Sequence, residues 1–138
     1  MLVFKRDDTG VVSAELEFND PFNECISKGK VVFGSYHTND ALAVELYMFI
    51  DDDYFEHWQP YATLSVNLPI PPSPNCFYLK NYSENAELVK QFEGVLYAPL
   101  DEDTKYIASG YVDIPEVQLT DEVIASLEAL NNKPVSTK

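Results

Sequence analysis

Lys30-Val31-Val32-Phe33-Gly34-Ser35-Tyr36, then His37-Thr38-Asn39-Asp40, then Ala41-Leu42-Ala43-Val44-Glu45-Leu46-Tyr47-Met48-Phe49-Ile50 is the stretch that decides the fold. The first part is a β-branched and aromatic run, and the second is a polar turn. The third sets Leu42, Val44, Leu46, Met48 and Ile50 on one side of an extended chain, because successive side chains of a strand point to opposite faces. Strand, turn and strand in this order make a β-hairpin.

The same period continues on both sides of the hairpin. Val12, Ala14, Leu16 and Phe18 alternate with Ser13, Glu15 and Glu17, and Asp7-Asp8-Thr9-Gly10 is a turn, so residues 2 to 18 form another hairpin. From Tyr61 to Leu68, Ala62, Leu64, Val66 and Leu68 are expected inward and Thr63, Ser65 and Asn67 outward, with this strand paired to 41–50. Pro69-Ile70-Pro71-Pro72-Ser73-Pro74 lacks the amide donors of a sheet interior and reads as a stiff surface connector. Cys76 to Leu79 is a short strand. Ser83 is expected to cap a helix bearing Leu88 and Phe92 and ending near Gly94. Tyr106 to Asp113 reads as one strand with a bulge at Gly110. Thr120 should cap a last helix, with Asp121 and Glu122 at the positive end of its dipole and Val123, Ile124, Leu127 and Leu130 as its apolar stripe. Strands without βαβ spacing imply an α+β fold: a mainly antiparallel sheet with one or two short helices packed on it, one domain over residues 1–132 and a frayed tail over 133–138.

Charge bounds what such a body can touch. The 138 residues carry a formal net charge of −14, and between Val31 and Leu79 there is no Lys or Arg while Asp40, Glu45, Asp51, Asp52, Asp53 and Glu56 are present. A second such stretch, Tyr106 to Asn132, holds Asp113, Glu116, Asp121, Glu122 and Glu128. A field of that sign repels nucleic acid and anionic membranes and attracts basic partners. Eighteen Phe, Tyr and Trp residues are too many for a disordered acidic tail, so the charge decorates a folded body. Cys25 and Cys76 have neither metal-site nor disulfide-scaffold spacing, and the opening Met-Leu-Val-Phe-Lys-Arg leads into no apolar run. The expected location is a reducing cytoplasm.

Chemistry-bearing motifs are missing. There is no GxSxG elbow, no phosphate-cradling glycine loop and no EF-hand, and His57 beside Asp51, Asp52, Asp53 and Glu56 falls short of a defined metal set. No catalytic residue, metal or cofactor is therefore expected. One segment stands out: Asp51-Asp52-Asp53-Tyr54-Phe55-Glu56-His57-Trp58 places aromatics among carboxylates in a presumed loop. Aromatic anchors concentrate interface energy, and a negative rim selects a basic partner. Alternatively Phe55 and Trp58 fold back over the end of the sheet. The residues expected to hold a partner are Asp51, Asp52, Asp53, Tyr54, Glu56 and Trp58, followed by Asp101, Glu102 and Asp103.

Around Tyr61-Ala62-Thr63-Leu64-Ser65-Val66-Asn67-Leu68-Pro69 the chain resembles domain of unknown function 4313, a bacterial and phage family with an ATLTVNLP-like core. Asn39 to Leu46, Asn81-Tyr82-Ser83-Glu84-Asn85 and Ser109 to Pro115 follow the same order, so the resemblance spans residues 36 to 119, with 51–60 as an insertion. It implies a small accessory protein of phages or mobile elements and brings no catalytic residue. The expected function is non-enzymatic: an acidic protein that occupies a basic surface of a host protein, such as a nucleic-acid-binding defence enzyme, as a DNA mimic. The alternative is an oligomeric accessory domain whose charge serves solubility alone.

Overall fold

The computed structural model describes residues 2–51 and 55–131. Five strands, β1 (Val3–Arg6), β2 (Val12–Asp20), β3 (Cys25–Ser35), β4 (Leu42–Asp51) and β5 (Glu56–Thr63), form an antiparallel meander in chain order. Four more, β6 (Ser65–Val66), β7 (Cys76–Leu79), β8 (Tyr106–Ser109) and β9 (Val112–Gln118), form a second antiparallel sheet in the order β6-β7-β9-β8. The helices are α1 (Ala86–Lys90) and α2 (Asp121–Asn131). The antiparallel α+β expectation therefore describes the chain, but with two sheets in place of one. The tail 133–138 lies outside the described residues.

The hairpin reading of 30–50 is borne out. Val31 pairs with Leu46 and Phe33 with Val44, and all four are buried on the inner face. Asp7 shapes the first turn, its Oδ1 accepting from the amides of Thr9 and Val11 at 2.9 and 3.0 Å. One hydrophobic cluster joins Ala14, Phe18, Val31 and Leu46 of the first sheet to Phe77 and Val117 of the second, to Leu88 and Val89 of α1 and to Val123 of α2. Thr120 caps α2 as expected, its hydroxyl accepting from the Val123 amide at 3.3 Å. Ile124, Leu127 and Leu130 pack on the core, and the Arg6 guanidinium donates to the Leu130 carbonyl at 3.1 Å. No described helix is long and apolar enough to cross a membrane.

Three local expectations are corrected. Ser65 is buried rather than outward, because the chain changes sheets there. The Leu64 amide donates to the Val44 carbonyl of β4, and the Leu64 carbonyl accepts from the Lys80 amide just beyond β7. One residue thus belongs to both sheets. The Ser65 hydroxyl accepts from the Val44 amide at 2.9 Å and bonds the Tyr36 hydroxyl at 2.7 Å, taking the place of a ladder partner. Ser65→Ala should lower stability by about 1 kcal/mol, since it strands a buried amide; chemical denaturation measures the loss.

Ser83 is not a helix cap. It stands at φ 55° and opens a 3₁₀ turn, Ser83–Asn85, ahead of α1. Asn85, buried there, donates from Nδ2 to the Thr63 carbonyl at 2.7 Å and so ties the start of α1 to the end of β5. Residues 106–113 are not one bulged strand. Ser109 pairs with Val112 across Gly110 and Tyr111, a two-residue hairpin loop with Gly110 at φ 61°, and β9 continues to Gln118.

Candidate interaction surface

The expected partner-binding residues fall on two separate parts of the fold. Asp51 and Glu56 pair across the end of the β4–β5 hairpin, and both are exposed. Asp52, Asp53 and Tyr54 lie outside the described residues. Phe55 is 60% exposed and its ring stands 4.5 Å from that of His57, whose Nδ1 is buried and has no hydrogen-bond partner among the described residues. Phe55 therefore stays largely in solvent, whereas Trp58 lies down on the sheet.

Trp58 is half-buried on the outer face of the first sheet, edge-on to its register partner Phe49 at 5.1 Å between ring centroids. The rim beside it is not purely acidic. The ammonium of Lys30 stands 4.7 Å from the Trp58 ring, and that of Lys28 stands 4.9 Å from Phe49 and 5.8 Å from Trp58. An ammonium over an aromatic face is attracted by the ring quadrupole. The reason is the pleat: Lys28 and Lys30 point to one side of β3, and register carries that side to Tyr47 and Phe49 of β4 and Trp58 of β5. Asp51 and Glu56 occupy the next row toward the tip. The spacing of Lys28 and Lys30 carried this signal, but only the strand register reveals which aromatics they meet.

Asp101, Glu102 and Asp103 form an exposed loop before β8, in the second sheet's half of the molecule. Asp101 Oδ1 accepts from the Asp103 amide at 2.8 Å, and the Asp101 amide donates to the Thr104 hydroxyl at 2.8 Å, which holds the turn. The loop walls an open cleft of about 430 Å³ that also touches Cys76, Lys105 and Glu116. Glu116 accepts from the Ser73 amide at 2.7 Å, and burial with the nearby Glu116 charge pushes the Cys76 thiol up. A raised thiol pKa keeps sulfur protonated and poorly nucleophilic.

The two acidic groups thus stand on different sheets and do not merge into one site. Across the described residues, the carboxylates paired with lysine are Glu15, with Lys5 and Lys28; Glu84, with Lys80; and Glu87, with Lys90. Among those residues, Asp51, Glu56, Asp101, Glu102, Asp103, Asp113, Asp121, Glu122 and Glu128 are exposed and have no such pair. The most buried carboxylate, Asp20, is structural. It accepts from the Tyr61 hydroxyl, from Asn23 Nδ2 at 2.6 Å and from the Phe22 amide at 2.9 Å, closing the β2–β3 turn. No three His, Cys, Asp or Glu side chains among the described residues converge as a metal-binding group. No protein-family model, curated protein or solved structure matches the chain.

Proposed function

We propose that this chain is a non-enzymatic binding protein that meets a basic surface of another protein with its exposed carboxylates. The partner class is a host protein whose groove accepts a polyanion, such as a nucleic-acid-binding enzyme, and the chain acts there as a DNA mimic from a phage or mobile element. The observation that carries this reading is the exposed, lysine-free acid. Carboxylates left without internal partners keep their field for an incoming cation, whereas those tied into ion pairs do not. Asp51 and Glu56 at one hairpin end, with Asp101, Glu102 and Asp103 on the loop before β8, are the contact residues of this reading, to which Trp58 and, between Asp51 and Glu56 in the sequence, Asp52, Asp53 and Tyr54 are added.

The test is capture from host lysate at low and at near-physiological salt, followed by competition with duplex DNA. A retained nucleic-acid-binding protein that duplex DNA displaces supports the reading. Replacing Asp51, Asp101 and Asp103 by Asn, with Glu56→Gln and Glu102→Gln, should weaken capture at least about ten-fold at low salt. That drop is about 1.4 kcal/mol, within reach of a few screened charge contacts. Asn at 101 retains the Oδ1 acceptor that holds the loop, so the loop should survive the change. Capture insensitive both to these substitutions and to salt would sink the mimic reading.

A further inference from the structure

We infer that the open edge of β8 takes up an extended, basic segment of the partner protein as an added strand. The inference rests on the basic partner of the proposed function and names the element by which that partner is held. Two open sheets have four edges, and three of them carry features that oppose pairing with another chain. β1 bears Lys5 and Arg6, and Arg6 ties it to α2 through the Leu130 carbonyl. β5 contains Pro60 and, beside it, the bulge at Tyr61. β6 is two residues long and follows directly on the sheet change at Leu64. Edge charges, prolines, bulges and very short strands are the devices that keep sheet edges from adding foreign strands.

β8 is the fourth edge. Its sequence, Tyr106-Ile107-Ala108-Ser109, carries neither charge nor proline, and it pairs with β9 without a bulge. The Glu116 amide donates to the Lys105 carbonyl at 2.9 Å, and Ser109 faces Val112 across the two-residue loop. Backbone groups alternate sides along a strand, so Lys105, Ile107 and Ser109 turn theirs toward β9 while Tyr106 and Ala108 turn N–H and C=O outward. Among the described residues no strand lies on that side. Exposed tyrosines stand at both ends of the edge, Tyr106 at 51% exposure and Tyr111 fully in solvent. Tyrosine is a preferred interface anchor, and an unpaired strand edge is the template for strand addition by an extended peptide.

Charge selects the occupant. Asp101, Glu102 and Asp103 lie on the loop leading into β8, Asp113 faces Ala108 across the ladder, and all four are exposed. Lys105 is the only cation from residue 101 to 116. Tyr106, Ala108 and Asp113 share one face of the hairpin, since facing residues of a ladder point to the same side. A lysine of the added strand opposite Ala108 would stand about 9.6 Å from Asp113, two strand spacings, and its long stem crosses the small Ala108 side chain toward the carboxylate. The neighbouring residue of that strand points to the other face, where Ile107 packs against the cluster of Leu68, Tyr78 and Ile114. The segment that fits therefore alternates basic and apolar residues. A second copy of this chain would bring the same acids to the same edge and be repelled.

The probe is a peptide of alternating lysine and valine. Its control alternates lysine and proline at the same charge, because proline lacks the amide that strand addition needs. In titrations of the full chain at near-physiological salt, the valine peptide should bind at least about ten-fold more tightly than the proline peptide, and hydrogen exchange at the Tyr106 and Ala108 amides should slow in its complex. Ala108→Pro should abolish that preference. The amide it removes points away from β9, and proline holds the preceding Ile107 extended, so the β8–β9 ladder should survive. Asp113→Asn should weaken the valine peptide about three-fold, the size of one exposed charge contact. Equal affinity for the two peptides, or a preference that persists in Ala108→Pro, overturns the inference and leaves the basic partner of the proposed function in place. Binding of neither peptide overturns it too, while capture from lysate tests the proposed function separately. Should Ala108→Pro alter the circular dichroism, the wild-type exchange pattern decides: Tyr106 and Ala108 amides left unprotected in the peptide complex also overturn the inference.

Discussion

Phe77→Ala should remove about 3–5 kcal/mol of folding stability, the range for deleting a buried aromatic ring whose neighbours relax only in part. Phe77 is fully buried in β7, paired in register with Val117 of β9, and its ring meets Tyr97 edge-on at 6.4 Å. Tyr97 is itself held, its hydroxyl donating to the Val89 carbonyl of α1 at 3.0 Å, and burial pushes its pKa up to about 12. The cavity would therefore open where the second sheet, α1 and the strand-linking residue Tyr97 meet. Urea denaturation should show a lower midpoint with an unchanged slope, because the surface exposed on unfolding stays nearly the same. Phe49→Ala is the contrast. That ring lies on the outer face of the first sheet, outside either core, so its loss should cost well under half as much. Equal losses at the two positions would mean that the core has been assigned to the wrong face.

Asp20→Ala should cost about 3 kcal/mol, since it strands several donors at a nearly water-free site. The carboxylate closes the β2–β3 turn through Phe22 and Asn23 and receives the Tyr61 hydroxyl from the bulge in β5, so one side chain joins three strands. Its pH dependence has a definite sign. Burial raises the Asp20 pKa, but the hydrogen bonds from Tyr61, Asn23 and the turn amides outweigh it and hold the group below the ordinary carboxylate value. Tyr61 shifts the other way, upward, through burial and the same bond. A group depressed in the folded state contributes stability above its unfolded pKa, about 3.9, and withdraws it as pH falls through the lower folded value. Asp20→Asn keeps the shape but turns an amide donor toward either Asn23 or its other donors. Its stability deficit against the wild type should be full at pH 7 and should shrink below pH 4. Thermal melts at pH 7 and pH 3 measure it, and a deficit that does not change with pH would show that Asp20 is not charged in the fold.

Residues 30–50 were legible because alternation of period two, a polar turn and β-branched residues all specify the same local geometry, and local geometry needs no distant partner. Thr120 and the stripe of α2 were legible for the same reason. Ser65 was misread because alternation assumes that a strand stays in one sheet. The sheet change at Leu64 is set by hydrogen bonds to Val44 and Lys80, residues 20 and 16 positions away in sequence. Ser83 was misread because its hydroxyl fits a cap pattern, while the start of α1 is pinned by Asn85 reaching to Thr63.

The candidate surface divides along the same line. That the chain is strongly acidic, poor in cations over two long stretches and without motifs for known chemistry follows from its residues alone, since charge and composition do not depend on fold. Where the acid stands does depend on it. Register puts Lys28 and Lys30 over Phe49 and Trp58, turning an expected acidic rim into an aromatic face of mixed charge, and it parts Asp51 and Glu56 from Asp101, Glu102 and Asp103. A strand's two sides are written in its sequence, but which strand lies beside it is decided by pairing across the chain, and neighbouring strands decide which charges meet.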